Sequence, residues 1–328
     1  MARLLLLSVV GAVLLWSNEP LSADSLYWAD QSGDIRRAYL NGTNEEVVLS
    51  GLNTPTSIAI DGNAGKIYWT DQGQNIIGRA DLNGTREQTL VVTNHPYGLA
   101  LDTSASKMYW TDGIGGQIIR SNLDGSDPEI VLTGLNGPTA IALDITDGKM
   151  YWSSQFGHII SDANLDGTDQ QVLLTGLNEP TGVALDVADG KLYWTDWGGT
   201  IQNANLNGSN QKTVLTGVQG QAGLSLDFGN GKMYWTTSLS PGEIWNANLD
   251  GTGQEVLISG LDDPVGIALL SGTAPSIVPE PAASTLVAIG TLGIIGCACR
   301  QKSRVGSFKR RHIIRQSIAR RVPHPERA

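Results

Sequence analysis

A Tyr-Trp dipeptide recurs six times along the chain at a nearly constant spacing. Its copies begin at Tyr27, Tyr68, Tyr109, Tyr151, Tyr193 and Tyr234, and successive copies lie 41, 41, 42, 42 and 41 residues apart. A fixed period of about 20–50 residues is typical of folds built from repeated supersecondary units. This period constrains the fold more strongly than the length of 328 residues does.

Each repeat divides into four short segments with β-rich or alternating patterns, separated by turn residues. In the fifth repeat these segments are residues 182–186, 191–196, 200–206 and 212–217. Helical repeats would need apolar residues spaced by three or four, and the segments lack that spacing. Four antiparallel strands repeated six times predict an all-β fold, a propeller with six blades.

The two ends of the repeat region are incomplete in complementary ways. The strand at Tyr27 has no "ALD" strand before it, and the last "GIAL" strand, residues 266–269, has no Tyr-Trp strand after it. We therefore predict that the C-terminal strand completes the first blade and closes the ring.

Every repeat has Asn-Gly or Asp-Gly between its third and fourth strands. Such pairs tolerate positive φ at both central residues of a tight turn, so the sequence predicts a two-residue hairpin there. The pairs begin at Asn41, Asn83, Asp124, Asp166, Asn207 and Asp250.

The ends of the chain differ in character from the repeats. Residues 1–23 have a basic residue, an apolar run and small residues at the end, which predict a secretory signal peptide before a propeller at 24–271. Residues 272–281 read as a linker containing Val-Pro-Glu-Pro. Residues 282–299 carry no charge and would span roughly 27 Å as a helix, which suits a transmembrane helix. Residues 300–328 carry ten Lys or Arg against one Glu and predict a basic cytoplasmic tail.

The charge distribution excludes one class of partner. The whole chain carries −10 and the tail +9, and the signal segment sums to zero, so residues 24–299 carry −19. Nucleic-acid binding uses clustered Lys and Arg, so we expect no nucleic-acid partner. Both cysteines, Cys297 and Cys299, lie outside the repeats, and the repeat region must be stabilised by burial without disulfides.

The six units resemble YWTD repeats, the class B repeats of low-density-lipoprotein receptors. The resemblance covers residues 25–270 and implies a YWTD-type six-bladed β-propeller. Some copies depart from the motif, with Ala29 in the first, Ser153-Ser154 in the fourth and Thr236-Thr237 in the sixth. The cysteine-rich modules of those receptors are absent, which removes the grounds for expecting a lipoprotein receptor.

A second resemblance lies at the C-terminus. The motif Pro279-Glu280-Pro281, followed by an apolar helix and arginines, is similar to PEP-CTERM sorting signals. It implies processing by an exosortase-type enzyme and attachment or release at the bacterial envelope. The tail is longer than usual for such signals, which leaves a plain membrane anchor as the alternative. Both readings place the propeller outside, at the outer face of the membrane or the cell surface.

Alternation along a strand sends the Tyr and Trp of each dipeptide to opposite faces, so we expect all six dipeptides to be core between blades. The aspartate after the dipeptide ends its strand and can accept backbone N–H groups of the loop. These aspartates are Asp30, Asp71, Asp112 and Asp196.

A further set of aspartates ends the innermost strands and forms an expected acidic ring. Each is followed five residues later by a lysine, which predicts ion pairing within the hairpin, with Ca²⁺ binding at the ring as the alternative. No other cofactor is expected. The ring consists of Asp61, Asp102, Asp144, Asp186 and Asp227.

Catalytic motifs are absent from the repeats, which contain only His95 and His158 as histidines. We expect a non-enzyme, with a metal-dependent axial hydrolase or lyase of the lactonase type as the alternative. The loops between strands two and three and between blades vary most, and such loops usually carry binding residues. The sequence therefore predicts a module that binds an extracellular protein or polysaccharide. The candidate contacts are Trp197, Phe156, His158, Tyr97, Gln72, Gln117 and Gln221.

Overall fold

The computed structural model describes residues 24–218, 220, 223–238 and 241–270. The predicted signal peptide, linker, sorting motif, transmembrane helix, basic tail and the candidate Gln221 lie outside these residues. Within them, no helix is long and apolar enough to cross a membrane.

Six four-stranded antiparallel sheets account for the regular structure of the described residues. With strands numbered in chain order, the inner strands are β4 (Pro55–Asp61), β8 (Pro96–Asp102), β12 (Pro138–Asp144), β16 (Pro180–Asp186), β20 (Leu224–Asp227) and β24 (Pro264–Leu270). The second strands, which carry Tyr-Trp, are β1 (Ser25–Asp30), β5 (Lys66–Asp71), β9 (Lys107–Asp112), β13 (Lys149–Ser154), β17 (Lys191–Asp196) and β21 (Lys232–Thr237).

The third strands are β2 (Asp34–Tyr39), β6 (Ile76–Asp81), β10 (Gln117–Asn122), β14 (Ile159–Asn164), β18 (Thr200–Asn205) and β22 (Gly242–Asn248). The outer strands are β3 (Glu46–Leu49), β7 (Gln88–Val92), β11 (Glu129–Leu132), β15 (Gln171–Leu174), β19 (Lys212–Thr216) and β23 (Glu255–Leu261). Blade 1 has the order β24-β1-β2-β3, and blades 2–6 each use four consecutive strands.

The predicted closure of the ring is confirmed in blade 1. The C-terminal strand β24 pairs with β1 in antiparallel register, with Ser25 opposite Leu270 and Trp28 opposite Ile267. The first and last residues of the propeller are therefore neighbours, and the ring has no free edge between its ends.

The Tyr-Trp dipeptides form the core between blades, as predicted. Tyr27 packs in one cluster with Trp69 of blade 2, whereas its neighbour Trp28 packs with Tyr234 of blade 6. The tryptophans of all six dipeptides are at most 1% exposed. Each dipeptide thus ties its blade to both neighbours.

The residue after Tyr-Trp is Thr or Ser in five of the six blades. Hydrogen bonds of these hydroxyl groups, which form a belt near the axis, explain this preference. Thr111 accepts the N–H of Gly98 in its own blade at 2.8 Å and donates to the carbonyl of Thr139 in the next blade at 2.6 Å. Ala29 interrupts this belt in blade 1. The same pair of bonds is made by Thr70, Ser153 and Thr236.

The two-residue hairpin predicted between the third and fourth strands is wrong. The connection in blade 1 has six residues, 40–45, and positive φ occurs at Gly42 and Asn44 rather than at Asn41. The Asn41 side chain instead accepts the N–H and the hydroxyl of Thr43, at 3.0 and 2.6 Å. Local side-chain bonding of this kind stabilises a wider turn. All six repeats form it.

Candidate functional site

The propeller has two faces of different composition. The loop face carries the loops between second and third strands and the loops that lead from each outer strand to the next inner strand. The turn face carries the inner-strand turns, the six-residue connections, and both ends of the propeller chain. The loops of the loop face contain no Lys or Arg, and their acidic residues are Glu179, Asp262 and Asp263.

In four blades the Tyr-Trp strand ends in an aspartate, which organises the base of the loop face, as predicted. Asp71 is fully buried, and its two oxygens accept the N–H groups of Asn53 and Gln74 at 2.7 and 2.8 Å. It therefore joins two neighbouring loops. Asp112 and Asp196 each accept an N–H of their own blade, from Gly115 at 2.6 Å and from Thr200 at 3.1 Å.

Three consecutive blades present a large apolar side chain from equivalent loops of this face. Phe156 of blade 4 and Trp197 of blade 5 were candidates from the sequence, and they are 62% and 43% exposed. Ile114 of blade 3 was missed and is 73% exposed. It occupies the same loop position as Phe156, two residues after the strand, and aligning the loops by position would have found it. We call Ile114, Phe156 and Trp197 the apolar arc.

The backbone around the arc is fixed although its side chains are exposed. A Cβ at Gly137 would lie 2.5 Å from the Phe156 ring, so this glycine gives the ring room to pack against the neighbouring loop. The amide of Trp197 donates to the carbonyl of Asn178 at 3.0 Å. His158, two residues after Phe156, has a φ of 56°. Its Nδ1 lies 3.1 Å from the Leu177 carbonyl oxygen.

The remaining candidates are spread around the same face. Gln72 lies in the loop of blade 2, and Gln117 begins β10 in blade 3. Tyr97, the second residue of β8, is half-buried and lines a cavity on the propeller axis. The structure therefore places these side chains on one face without gathering them into a single pocket.

The axial cavity has a volume of about 150 Å³ and is lined along the inner strands by small, hydroxyl-bearing and aliphatic residues and by Tyr97. A Cβ at Gly98 would lie 2.3 Å from the carbonyl oxygen of Thr139, so the close approach of inner strands requires glycine here. No Asp, Glu or His is among the residues that line the cavity. The small lining residues include Ser57, Gly98, Ala140, Gly182, Gly223 and Gly266.

The ion pairs predicted between ring aspartates and their following lysines are wrong. Asp61 lies opposite Lys66 in register, but its Oδ1 accepts the N–H of Ala64 in the turn at 2.9 Å. The longer Lys66 side chain reaches across to Asp81 on the third strand. The same division holds in the other four hairpins, where turn N–H groups occupy the short carboxylate.

The five ring aspartates do not converge on a common metal centre. Among the described residues, no group of three His, Cys, Asp or Glu side chains could hold a metal ion. The ring carboxylates are instead distributed one per hairpin on the turn face.

Six four-stranded antiparallel sheets arranged in a closed ring define a six-bladed β-propeller. The loops on one face of this propeller vary from blade to blade. The family model of the outer membrane protein assembly factor BamB, PQQ_2, matches residues 59–273. This match covers more than half of the chain, and the chain belongs to this family. No curated protein sequence matches it.

Two solved structures share the fold. A chain of the nidogen/laminin complex superposes with a TM-score of 0.67 and 22% identity, over 75% of this chain and 98% of that chain. TolB from Acinetobacter baumannii superposes with a TM-score of 0.64 and 13% identity, over 75% of this chain and 66% of that chain. At these identities the likeness concerns the fold alone.

Proposed function

We propose that this propeller is an exported, envelope-associated binding module or scaffold that recognises a protein or glycan partner through its loop face. The observation that carries the proposal is the apolar arc, three large exposed side chains on consecutive blades. Exposed aromatic side chains on a rigid scaffold are typical anchors of binding interfaces.

The topology of the chain supports this choice of face. Residues 25 and 270 lie opposite each other at the turn face, where the propeller chain begins and ends. An attachment through residues 282–299, or processing at Pro279-Glu280-Pro281 by an exosortase-type enzyme, would therefore act on a chain that leaves from the turn face. The loop face lies at the opposite end of the blades from residues 25 and 270.

Charge narrows the chemistry of the partner. The loops around the apolar arc contain one acidic residue, Glu179, and no Lys or Arg. Glu179 adjoins the arc through a 3.1 Å hydrogen bond from Gln155. A surface that places positive charge beside apolar groups complements this face. The family description as an outer membrane protein assembly factor supports an envelope context. The axial cavity offers no specific support for a hydrolase or lyase.

The proposal is tested by capture on immobilised full-length chain from extracts of the cell envelope. Three proteins are compared: the wild type, the double variant Phe156→Ala/Trp197→Ala, and Phe228→Ala. Phe228 is a matched control because it is 52% exposed on the turn face. We expect a component that wild type and Phe228→Ala retain and the double variant loses. Protease treatment of the extract then distinguishes a protein from a glycan. Equal capture by all three proteins would refute the role of the loop face.

A further inference from the structure

One position of the repeat has a positive φ in all six blades. It precedes the proline that begins the inner strand, or Gln221 in blade 6. A backbone in this left-handed region favours glycine, because a Cβ atom crowds the chain there. Two of the six residues are glycines, so the fold itself does not require a side chain at this position. The six residues are Thr54, His95, Gly137, Glu179, Gly220 and Asp263, with φ from 38° to 80°.

Glu179 occupies this position between two members of the apolar arc, with a φ of 50°. Its carbonyl oxygen accepts the N–H of Trp197 at 3.3 Å. Its Oε2 accepts a hydrogen bond at 3.1 Å from Gln155, the neighbour of Phe156. Glu179 is therefore tied to both loops that carry an exposed aromatic ring. A non-glycine residue in a strained conformation beside exposed side chains is a candidate for function.

The charge of Glu179 has no counterpart in the described part of the chain. Glu179 is the one Asp, Glu, Lys or Arg in loops 113–116, 133–137, 155–158, 175–179 and 197–199. None of the ion pairs among the described residues includes it. The hydrogen bond from Gln155 does not require the charge, because the amide oxygen of a glutamine could accept it as well.

The group that best matches a carboxylate flanked by aromatic residues is a guanidinium. Arginine pairs with a carboxylate through two parallel hydrogen bonds, and its planar face stacks on rings such as those of Trp197 and Phe156. Lysine supplies the positive charge without this planar geometry. Ile114, which is 73% exposed on the neighbouring blade, adds an aliphatic contact.

We propose that Glu179 determines the specificity of the loop face and selects a protein segment that presents an arginine beside apolar side chains. The inference rests on the proposed function, since it requires that the apolar arc binds a partner. The arc supplies apolar contact area, and Glu179 distinguishes among apolar segments. A neutral or acidic segment would leave this half-buried carboxylate without a partner of opposite charge.

The first test selects random peptides displayed on phage with the immobilised full-length chain. The wild type is compared with Glu179→Gly and with Asp263→Gly. Asp263 is a matched control because it is acidic and occupies the same repeat position, in blade 1, with a φ of 67°. We expect arginine beside apolar residues in peptides selected by the wild type and by Asp263→Gly, and no arginine preference with Glu179→Gly. A failure to select peptides, selected peptides without arginine, or the same preference with Glu179→Gly would overturn the proposal.

Affinities of one selected peptide measure the contact itself. A copy of the peptide carries citrulline, an uncharged analogue, in place of arginine, and both copies are titrated with the wild type and with Glu179→Gln. Loss of the charge on either partner should weaken binding about 10- to 100-fold, as expected for a charge-assisted hydrogen bond. Loss of both charges should weaken it little further, because the two groups act on each other. Additive losses would contradict the pairing.

Thermal unfolding separates a loss of binding from a loss of folding. Glycine relieves the strain of a positive φ, so Glu179→Gly and Asp263→Gly should each have a Tm no lower than that of the wild type. A lower Tm for Glu179→Gly alone would show that the glutamate serves the fold, and it would overturn the proposal.

The variant Phe156→Ala/Trp197→Ala distinguishes a failure of this inference from a failure of the proposed function. If it binds the selected peptide as tightly as the wild type does, the role of the loop face fails as well. If it loses the peptide while Glu179→Gly binds with unchanged affinity, the apolar arc binds a partner and only the role of Glu179 is overturned.

Discussion

The turn face and the loop face are built from the same six repeats but follow different rules. On the turn face, an Asn or Asp side chain closes each six-residue connection with the same two hydrogen bonds in all six blades. On the loop face, by contrast, the residue two positions after the second strand changes from blade to blade. It is serine, glycine, isoleucine and phenylalanine in blades 1–4. Repetition therefore marks residues that the fold requires, and variation marks residues available for a partner.

The repeated core should show the largest effect on stability. Trp110 is 1% exposed and donates its indole N–H to Thr93 at 3.2 Å. We expect Trp110→Ala to lower the free energy of unfolding by about 3–5 kcal/mol, because removal of a large buried side chain leaves a cavity. Denaturant unfolding measures this loss. A midpoint equal to that of the wild type would show that the dipeptides are not core.

The carboxylates at the base of the loop face should show the next largest effect. Asp71→Ala leaves the amides of Asn53 and Gln74 without their acceptor, and we expect a loss of about 1–3 kcal/mol. Thr237→Ala is the matched control, since blade 6 has a hydroxyl in this place that accepts the Glu243 N–H at 3.2 Å and donates to the Glu243 carbonyl at 3.5 Å. Equal unfolding free energies for the two variants would contradict the bridging role of Asp71.

The gap in the hydroxyl belt offers a stabilising change. A Cβ at Gly266 would lie 2.7 Å from the Thr56 carbonyl, which matches the geometry of Gly98 and Thr139. Ala29→Ser supplies the missing hydroxyl, and we expect a gain of about 0.5–1.5 kcal/mol. Ser153→Ala, the reverse change in blade 4, should lower stability. Denaturant unfolding of both checks this, and a loss in Ala29→Ser would mean that the site has no room for the hydroxyl.

The two faces should respond to pH with opposite signs. Hydrogen bonds from the side chain and backbone of Thr168 lower the pKa of Asp166 on the turn face. Burial, then Asp30 and Asp262, raise the pKa of Asp263 on the loop face. Asp166 thus stabilises the fold above its unfolded pKa, and this contribution is lost as the pH falls through its folded pKa. Asp263 acts in reverse. The stability that its protonated form contributes at low pH is lost as the pH rises through its folded pKa.

Conservative variants separate these contributions. Asp166→Asn should reduce the loss of stability in acid, and Asp263→Asn should raise stability at neutral pH. Unfolding free energies measured across the carboxyl range report both. Identical pH profiles for the wild type and the two variants would contradict the assignment.

Much of the fold was predictable from the sequence because the same pattern recurs six times, once for each blade. The period, the four strands and the closure by β24 follow from the positions of Tyr27 and the final "GIAL" segment. The turn chemistry was not readable in the same way. Asn-Gly is compatible with a tight hairpin, and only the hydrogen bonds of Thr43 to Asn41 show the wider turn.

Side-chain reach explains the other errors at the candidate sites. Register correctly places Asp61 opposite Lys66, but sequence spacing does not show that turn amides take the short carboxylate. Ile114 was not predicted because an aliphatic side chain does not indicate a binding contact by its type, and only its position in the repeat equates it with Phe156.

The measurement that most directly tests the division between faces is the unfolding free energy of Phe156→Ala/Trp197→Ala. These side chains are largely outside the core, and exposed substitutions usually change stability by less than about 0.5 kcal/mol. We predict that the double variant unfolds within about 1 kcal/mol of the wild type, the sum expected for two such sites. A loss of about 3 kcal/mol or more, comparable with the removal of a core tryptophan, would show that the apolar arc belongs to the fold and would contradict the account.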